Sequence, residues 1–273
     1  MSLKVRTARR TGGWRGRAVE GVAAERLVSV LAPVLLLLVW EALGRVGVLD
    51  ARFFPPPSAI AASFPPLLDS GELQSHTLTS LGRIVIGFAI GAVPALALGI
   101  GMGLSRWLRA ALNPMVGALY PIPKTAILPL LLLVFGTGEA SKYATVAIGV
   151  FFLVLLNTVA GVLSIEPVYL DVGRNFGASR LQTFRTIALP GALPLIFTGL
   201  RLAWGTALIL IVVAEIFAAR SGLGYFINNM YQTFQVEKMY AGLIVMSLIG
   251  YVSFLALDEL QRWLIPWRGS RAV

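Results

Sequence analysis

The chain has no cysteine and one histidine, His76, in 273 residues. Without Cys there is no disulfide, thiolate metal site or thiol nucleophile. A single His leaves little for a His-based metal site or a Ser-His-Asp triad. The expectation is therefore no metal and no catalysis in this chain. Charge is also scarce. Only 13% of residues are charged, against about 25% in soluble domains. So few charges cannot cover a soluble domain of this length, and they exclude disorder and coiled coil as well. What the chain has is apolar mass, with 57% of residues hydrophobic. The net charge of +10 then points to membrane loops, which collect Lys and Arg on the cytoplasmic side, rather than to nucleic acid.

A spanning helix needs roughly 20 mostly apolar residues. Six segments qualify: 27 to about 47, 84–104, an interrupted 110–138, 143–165, about 195–218, and 240–257. A basic leader before a short apolar core is also the layout of a signal peptide. However, Glu41-Ala42-Leu43-Gly44-Arg45 is a poor cleavage site, so a retained helix is expected. Residues 1–26 carry seven Lys/Arg against two Glu, and 105–124 carry Arg106, Arg109 and Lys124 with no acid. Residues 166–201 carry four Arg against Glu166 and Asp171. These basic loops are expected in the cytoplasm, and six spans put both termini there. The expected organisation is a leader (1–26), an all-α six-helix membrane domain (27–265) and a cytoplasmic tail (266–273).

Gly87, Gly91, Ala95, Gly99 and Gly103 place a small residue at every fourth position of the second span. Such a stripe lets helix backbones approach closely where lipid supplies no hydrophobic drive. The third span is broken by Pro121 and Pro123. Irregular backbone at depth survives only against protein or water. Lys124, beside the break, is either a cation on a solute path or a lysine snorkelling to the headgroups. Asn157 is an interhelical hydrogen bonder or a solute contact. Gly136-Thr137-Gly138-Glu139-Ala140-Ser141-Lys142 looks like a phosphate loop but lacks its spacing and follows no strand, so no nucleotide is expected there.

The stretch 166–194 is too polar to span. Residues 168–176 read as a short helix, Gly177 as its end, and Ser179 as the cap of a second helix over 180–189. Pro190 and Pro194 are expected to set the start of the fifth span. A helix–Gly–helix module leaving a membrane domain is either a docking surface or a segment lying on lipid.

This stretch resembles the cytoplasmic loop of binding-protein-dependent ABC importer permeases, with its pattern Glu-Ala-Ala, three residues, Gly, nine residues, Ile, one residue, Leu-Pro. Asp171 stands at the Glu position, and Val172 and Gly173 at the two Ala positions; Gly177, Ile187, Leu189 and Pro190 match in identity and spacing. Gly173 weakens the helix where the family has Ala. The likeness extends through Phe54-Pro55-Pro56-Pro57-Ser58, Ser80-Leu81-Gly82-Arg83, Gly177-Ala178-Ser179-Arg180, Thr198-Gly199-Leu200-Arg201, and Ala214-Glu215 with Ser221-Gly222-Leu223-Gly224-Tyr225. These resemble the nitrate/sulfonate/taurine branch, which also includes bicarbonate and pyrimidine-precursor permeases.

The resemblance implies a permease homodimer in a bacterial inner membrane. It implies two separate ATPase subunits that bind ATP and Mg, and a periplasmic or lipid-anchored solute-binding protein. Asp171, Gly177, Ala178, Ser179, Arg180, Ile187, Leu189 and Pro190 would couple the ATPase to the membrane helices by alternating access. A solute path is expected near Pro121, Lys124, Asn157 and Trp204, with Glu215 at its outer end. One rival is an ion-coupled secondary transporter, for which Lys124, Arg201 and Glu215 are the ionisable candidates. The other is a membrane enzyme, which would need a catalytic cluster the composition denies.

Overall fold

The computed structural model describes residues 14–267, without the side chains of 14–26, 30 and 180. Residues 1–13 of the expected leader, 268–273 of the expected tail, and the Arg180 side chain lie outside the described set. The chain forms two compact units, Met1–Ala62 and Ser63–Val273. In the first, α1 (Trp14–Arg45) precedes α2 (Pro57–Ala62). Apolar side chains of α1, among them Leu27, Leu31, Leu35 and Leu36, are exposed, as suits a helix in lipid. Glu41 accepts hydrogen bonds from the Ser58 backbone N–H at 2.9 Å and its hydroxyl at 2.7 Å. The end of α1 thereby holds the start of α2 across the proline-rich turn.

The second unit contains α3 (Phe64–Asp69), α4 (Glu72–Leu104), α5 (Arg106–Leu119) and a 3-10 turn (Lys124–Ile127). Then follow α6 (Leu128–Phe135), α7 (Glu139–Leu163), α8 (Pro167–Asn175) and α9 (Arg180–Thr183). A π turn (Phe184–Ala188), α10 (Leu189–Ala218), α11 (Leu223–Gln232) and α12 (Val236–Leu264) complete it. Five helices in the described chain are long and apolar enough to cross a membrane, and six segments are if α5 and the 3-10/α6 stretch, bent by 83°, count as one.

Helix register decides that count. Gly87 faces Val146, Gly91 faces Ala147, Gly99 faces Thr158 and Gly103 faces Val162. Both numbers rise together, so α4 and α7 run parallel. The chain leaving α4 must therefore return along the whole of α7, about 37 Å at 1.5 Å per residue. Residues 105–138 make that return, and the bent pair is one broken span. By contrast, α10 opposes α7: Gly199 lies on Asn157, and Gly161 on Ala192. In turn α12 opposes α10, with Phe254 by Gly205 and Leu208 by Gly250. The Arg106 turn, the 164–188 loop and the end of α12 consequently share one end of the unit.

The small-residue stripe is the face of α4 that meets α7. A Cβ on Gly87 would come within 2.8 Å of Val146 Cβ, and one on Gly99 within 2.7 Å of Thr158 Cβ. At Gly91 the obstacle is the Ala147 carbonyl, which belongs to helix backbone and cannot rotate aside. Gly91→Leu is expected to force α4 and α7 apart and cost at least the ~1–3 kcal/mol of core overpacking. The check is the yield and melting temperature of purified protein; wild-type values for both would contradict the packing.

Several helix ends differ from the expectation, two of them where charged residues extend a helix. Helix α4 starts at Glu72 rather than 84 and α12 runs to Leu264 rather than 257, because charged residues inside these helices find partners on other helices. Nor do the prolines separate the loop from the span. The helix continues from Arg180 through the π turn into α10, and Pro194 lies inside α10. The Leu189 N–H donates to the Phe184 carbonyl, five residues back. Widening the turn accommodates a proline ring that would press on the carbonyl four residues earlier.

Candidate functional site

Three places in the second unit carry polar chemistry. The first is a charge cluster at the end opposite the 164–188 loop. His76, Ser80 and Arg83 continue the small-residue stripe of α4 by one helix face. The Arg83 guanidinium, 4% exposed, lies at the centre. Its Nε and Nη2 donate to the two Glu139 oxygens, each at 2.6 Å. Its Nη1 donates to Glu215 Oε1 at 2.9 Å and to the Ser221 carbonyl at 2.7 Å, and Nη2 also reaches Ser221 Oγ at 3.0 Å. Every guanidinium N–H is thereby engaged.

Glu215, expected at the outer end of a solute path, is wholly enclosed, taking further hydrogen bonds from Ser80 Oγ at 2.8 Å and the Gly224 N–H at 2.8 Å. Gly222 turns the chain here at φ +101°, and a Cβ on it would run into the Glu215 carboxylate; only glycine fits. The Gly222 N–H donates to His76 Nδ1 at 3.0 Å. Lys142 donates to the Thr137 and Gly138 carbonyls at 2.8 and 3.0 Å. The cluster thus ties α4, α7, α10 and the start of α11 together. A cleft of about 440 Å³ beside it is lined by Thr137, Glu139, Lys142, Phe217 and Arg220. Among the described residues, no group of three or more Asp, Glu or His stands close enough to hold a metal ion.

The second place is the break in the third span. Tyr120 stacks near Phe152, with ring centroids 6.4 Å apart. Phe152 is near the middle of α7 (Glu139–Leu163), so the break sits level with the middle of that helix. Pro121 is exposed at the break. The Lys124 ammonium folds onto the C-terminal end of α5. It turns back to the carbonyls of Leu119 (3.1 Å), Tyr120 (2.8 Å) and Ile122 (2.8 Å), and lies 4.6 Å from the Phe152 ring centroid. It caps carbonyls that the end of α5 leaves without helical partners. The 3-10 turn packs against both α7 and α10. Asn157 donates to the Leu153 carbonyl at 2.8 Å and packs on Gly199. Trp204 meets Phe88 edge-on at 5.1 Å. Removing the ammonium should therefore loosen the bend: Lys124→Met is expected to lower the melting temperature of the purified protein by several degrees. Wild-type melting with reduced solute flux would instead assign Lys124 to solute contact.

The third place is the loop. The Gly177 N–H donates to the Arg174 carbonyl and the Ala178 N–H to the Gly173 carbonyl, both at 2.9 Å, with Gly177 at φ +72°. This is a Schellman ending, which left-handed glycine suits. Ser179 and Gln182 then cap each other: the Ser179 N–H donates to Gln182 Oε1 at 2.8 Å and the Gln182 N–H to Ser179 Oγ at 3.3 Å. Gly173 is buried, and a Cβ there would meet Ile187 at 3.0 Å. The residue that weakens α8 as a helix lets it pack on the π turn. Asp171 pairs with Arg174 at 3.1 Å on the exposed side. Leu189 and Pro190 open α10. Val168, Tyr169, Val172 and Phe176 are exposed, Phe176 by 87%.

Sequence reasoning placed the stripe, the broken span and the loop but did not single out Arg83 as a site residue. The signal for Arg83 was the continuation of the α4 stripe through positions 76, 80 and 83.

The sequence profile of the family described as "Binding-protein-dependent transport system inner membrane component" matches residues 84–269. SsuC of Bacillus subtilis (strain 168), a permease protein named for aliphatic sulfonates transport, is 35% identical over 89% of this chain and 88% of its own. The taurine transport system permease protein TauC of Escherichia coli (strain K12) is 33% identical over 89% of this chain and 90% of its own. Among solved structures, the inward-facing MetNI methionine ABC transporter superposes with TM-score 0.60 at 20% identity, over 68% of this chain and 92% of that one. That likeness concerns the fold alone.

Proposed function

The chain belongs to the family of binding-protein-dependent transport system inner membrane components, and we propose that it serves an importer for a small sulfonate-like solute. As a member it is a multi-pass ABC transporter permease. In our reading ATP and Mg are held by two copies of a separate ATPase, and a second copy of the permease completes the pore. A periplasmic or lipid-anchored protein delivers the solute. The end bearing the Arg106 turn, the Gly177 loop and the end of α12 faces the cytoplasm, and the charge cluster faces outward.

One observation carries the coupling role. Val168, Tyr169, Val172 and Phe176 form an exposed apolar stripe on a short helix that a glycine turn ends firmly. Outside a membrane, such a stripe calls for a partner, and an ATPase groove supplies one. Motion of that partner reaches α10 directly, because α9, the π turn and α10 are one continuous helix. We place the solute path at mid-depth, around Lys124, Asn157 and Trp204. Glu215 serves instead to anchor the outer end.

Affinity purification of the permease from its own cells should retrieve an ATPase subunit. Replacing residues 168–180 by a flexible linker should abolish that retrieval and leave the melting of the membrane helices unchanged. Undiminished retrieval would overturn the coupling role. Orientation has its own check, since the chain contains no native Cys. With Ser179→Cys, labelling by an impermeant thiol reagent outside intact cells would contradict the topology.

A further inference from the structure

The cleft of about 440 Å³ beside the charge cluster opens between Thr137, Glu139 and Lys142 on one side and Phe217 and Arg220 on the other. Glu139 is the first residue of α7, and Ala218 the last of α10. Both helices are long and apolar enough to cross a membrane, so the cleft lies where two spans leave it. Helix length fixes the level more closely. With 25 residues, α7 is about 37 Å long, against about 30 Å of hydrocarbon. Its first residue therefore stands in the headgroup layer. Apolar surface flanks the cleft on both sides. Phe217 is 72% exposed, and Leu133 and Val134, just before Thr137, are 85% and 64% exposed. Ile216, Ile209 and Leu202 continue the exposed surface along one face of α10 at seven-residue intervals.

The charges around the cleft do not balance. Arg83, Lys142 and Arg220 stand against Glu139 and Glu215, an excess of one cation. Both Glu139 oxygens are taken by Arg83, and the Lys142 ammonium by two carbonyls. Arg220 is exposed and, among the described residues, has no hydrogen-bond or ion-pair partner. We propose that this cleft is a site for an anionic phospholipid, with its phosphodiester on Arg220 and its acyl chains on the exposed faces of α6 and α10. A guanidinium presents paired donors to phosphate oxygens. Neutrality selects the lipid class. A headgroup of net charge −1, such as phosphatidylglycerol, cancels the excess cation. Phosphatidylcholine or phosphatidylethanolamine would bring an ammonium for which no carboxylate is free. A second copy set against this cleft by two-fold symmetry would bring the same excess cation, and like charges repel strongly where water is sparse. The site goes beyond the transport reading and needs only that these helices cross a membrane.

The test reads the permease complex in nanodiscs rather than its flux. Thr137 is exposed and the chain has no native Cys, so Thr137→Cys reports on the cleft. Labelling of the permease polypeptide by an uncharged methanethiosulfonate is followed, because bilayer surface charge does not concentrate a neutral reagent. The rate in phosphatidylcholine bilayers should fall severalfold when phosphatidylglycerol is mixed in. With Arg220→Gln that slowing should disappear, while the rate in phosphatidylcholine alone stays unchanged. Inorganic phosphate, added to phosphatidylcholine nanodiscs, should not protect. Slowing that survives Arg220→Gln would be a general effect of the bilayer and would overturn the site. Equal protection by inorganic phosphate would make the cleft a free-anion site, and absence of labelling in phosphatidylcholine would mean that protein or neutral lipid covers it. Either result also overturns the proposal.

Discussion

Arg83→Leu is expected to yield little folded protein, with the largest loss of stability of any single change at the charge cluster. Among the described residues, the guanidinium is the only cation bonded to Glu215, which is fully enclosed, and it also holds both oxygens of Glu139. Removing one partner of a buried pair strands the other, at about 3–5 kcal/mol. The Ser221 carbonyl and hydroxyl lose their donors as well, which frees the turn leading into α11. A second substitution makes the argument specific. In Arg83→Leu/Glu215→Leu the enclosed charge is gone, while Glu139, about half exposed, can turn to water. The double variant should melt above the single one. Wild-type melting of Arg83→Leu, or a double variant worse than additive, would show that the cluster does not anchor this end.

Gly177→Asp is expected to abolish ATP-driven transport while leaving the membrane helices folded. Among the described residues a Cβ at 177 would meet nothing within 4 Å, so no clash with them opposes it. The residue sits at φ +72°, a region that Asp enters more readily than most side chains. The intrinsic cost of the change is therefore modest, on the order of 1 kcal/mol. What changes is the surface: a carboxylate replaces bare backbone beside the exposed Phe176. An apolar docking contact tolerates that badly, because the charge must be desolvated without a partner. Unaltered melting together with loss of ATPase retrieval and of uptake is the predicted combination. Full uptake would remove Gly177 from coupling.

Much of this architecture is legible in the sequence because its signals are periodic. The every-fourth-residue stripe from Gly87 to Gly103 announces a close helix contact, and the prolines at 121 and 123 announce a broken span. Gly177 and Ser179 announce a turn and a cap by local chemistry alone. Long-range pairing is what the pattern hides. Arg83 lies just outside the charge-free stretch 84–104, and its partners are 56 and 132 residues away. Asp258 likewise falls past the apolar run ending at 257, yet α12 continues and brings it to Arg201. A search for uncharged runs cuts helices short where charges are paired. Nothing in the sequence shows that the stripe faces α7, or that the Lys124 ammonium folds back on the break.

If the proposed coupling holds, this permease moves solute only when an ATPase drives it. The direct measurement is uptake of radiolabelled taurine into proteoliposomes. These would contain the permease with the ATPase retrieved with it, and the solute-binding protein would be added on the side away from the ATPase. Accumulation is expected to require ATP and the binding protein and to vanish with Gly177→Asp. Accumulation driven by an ion gradient, with the ATPase omitted, would contradict it.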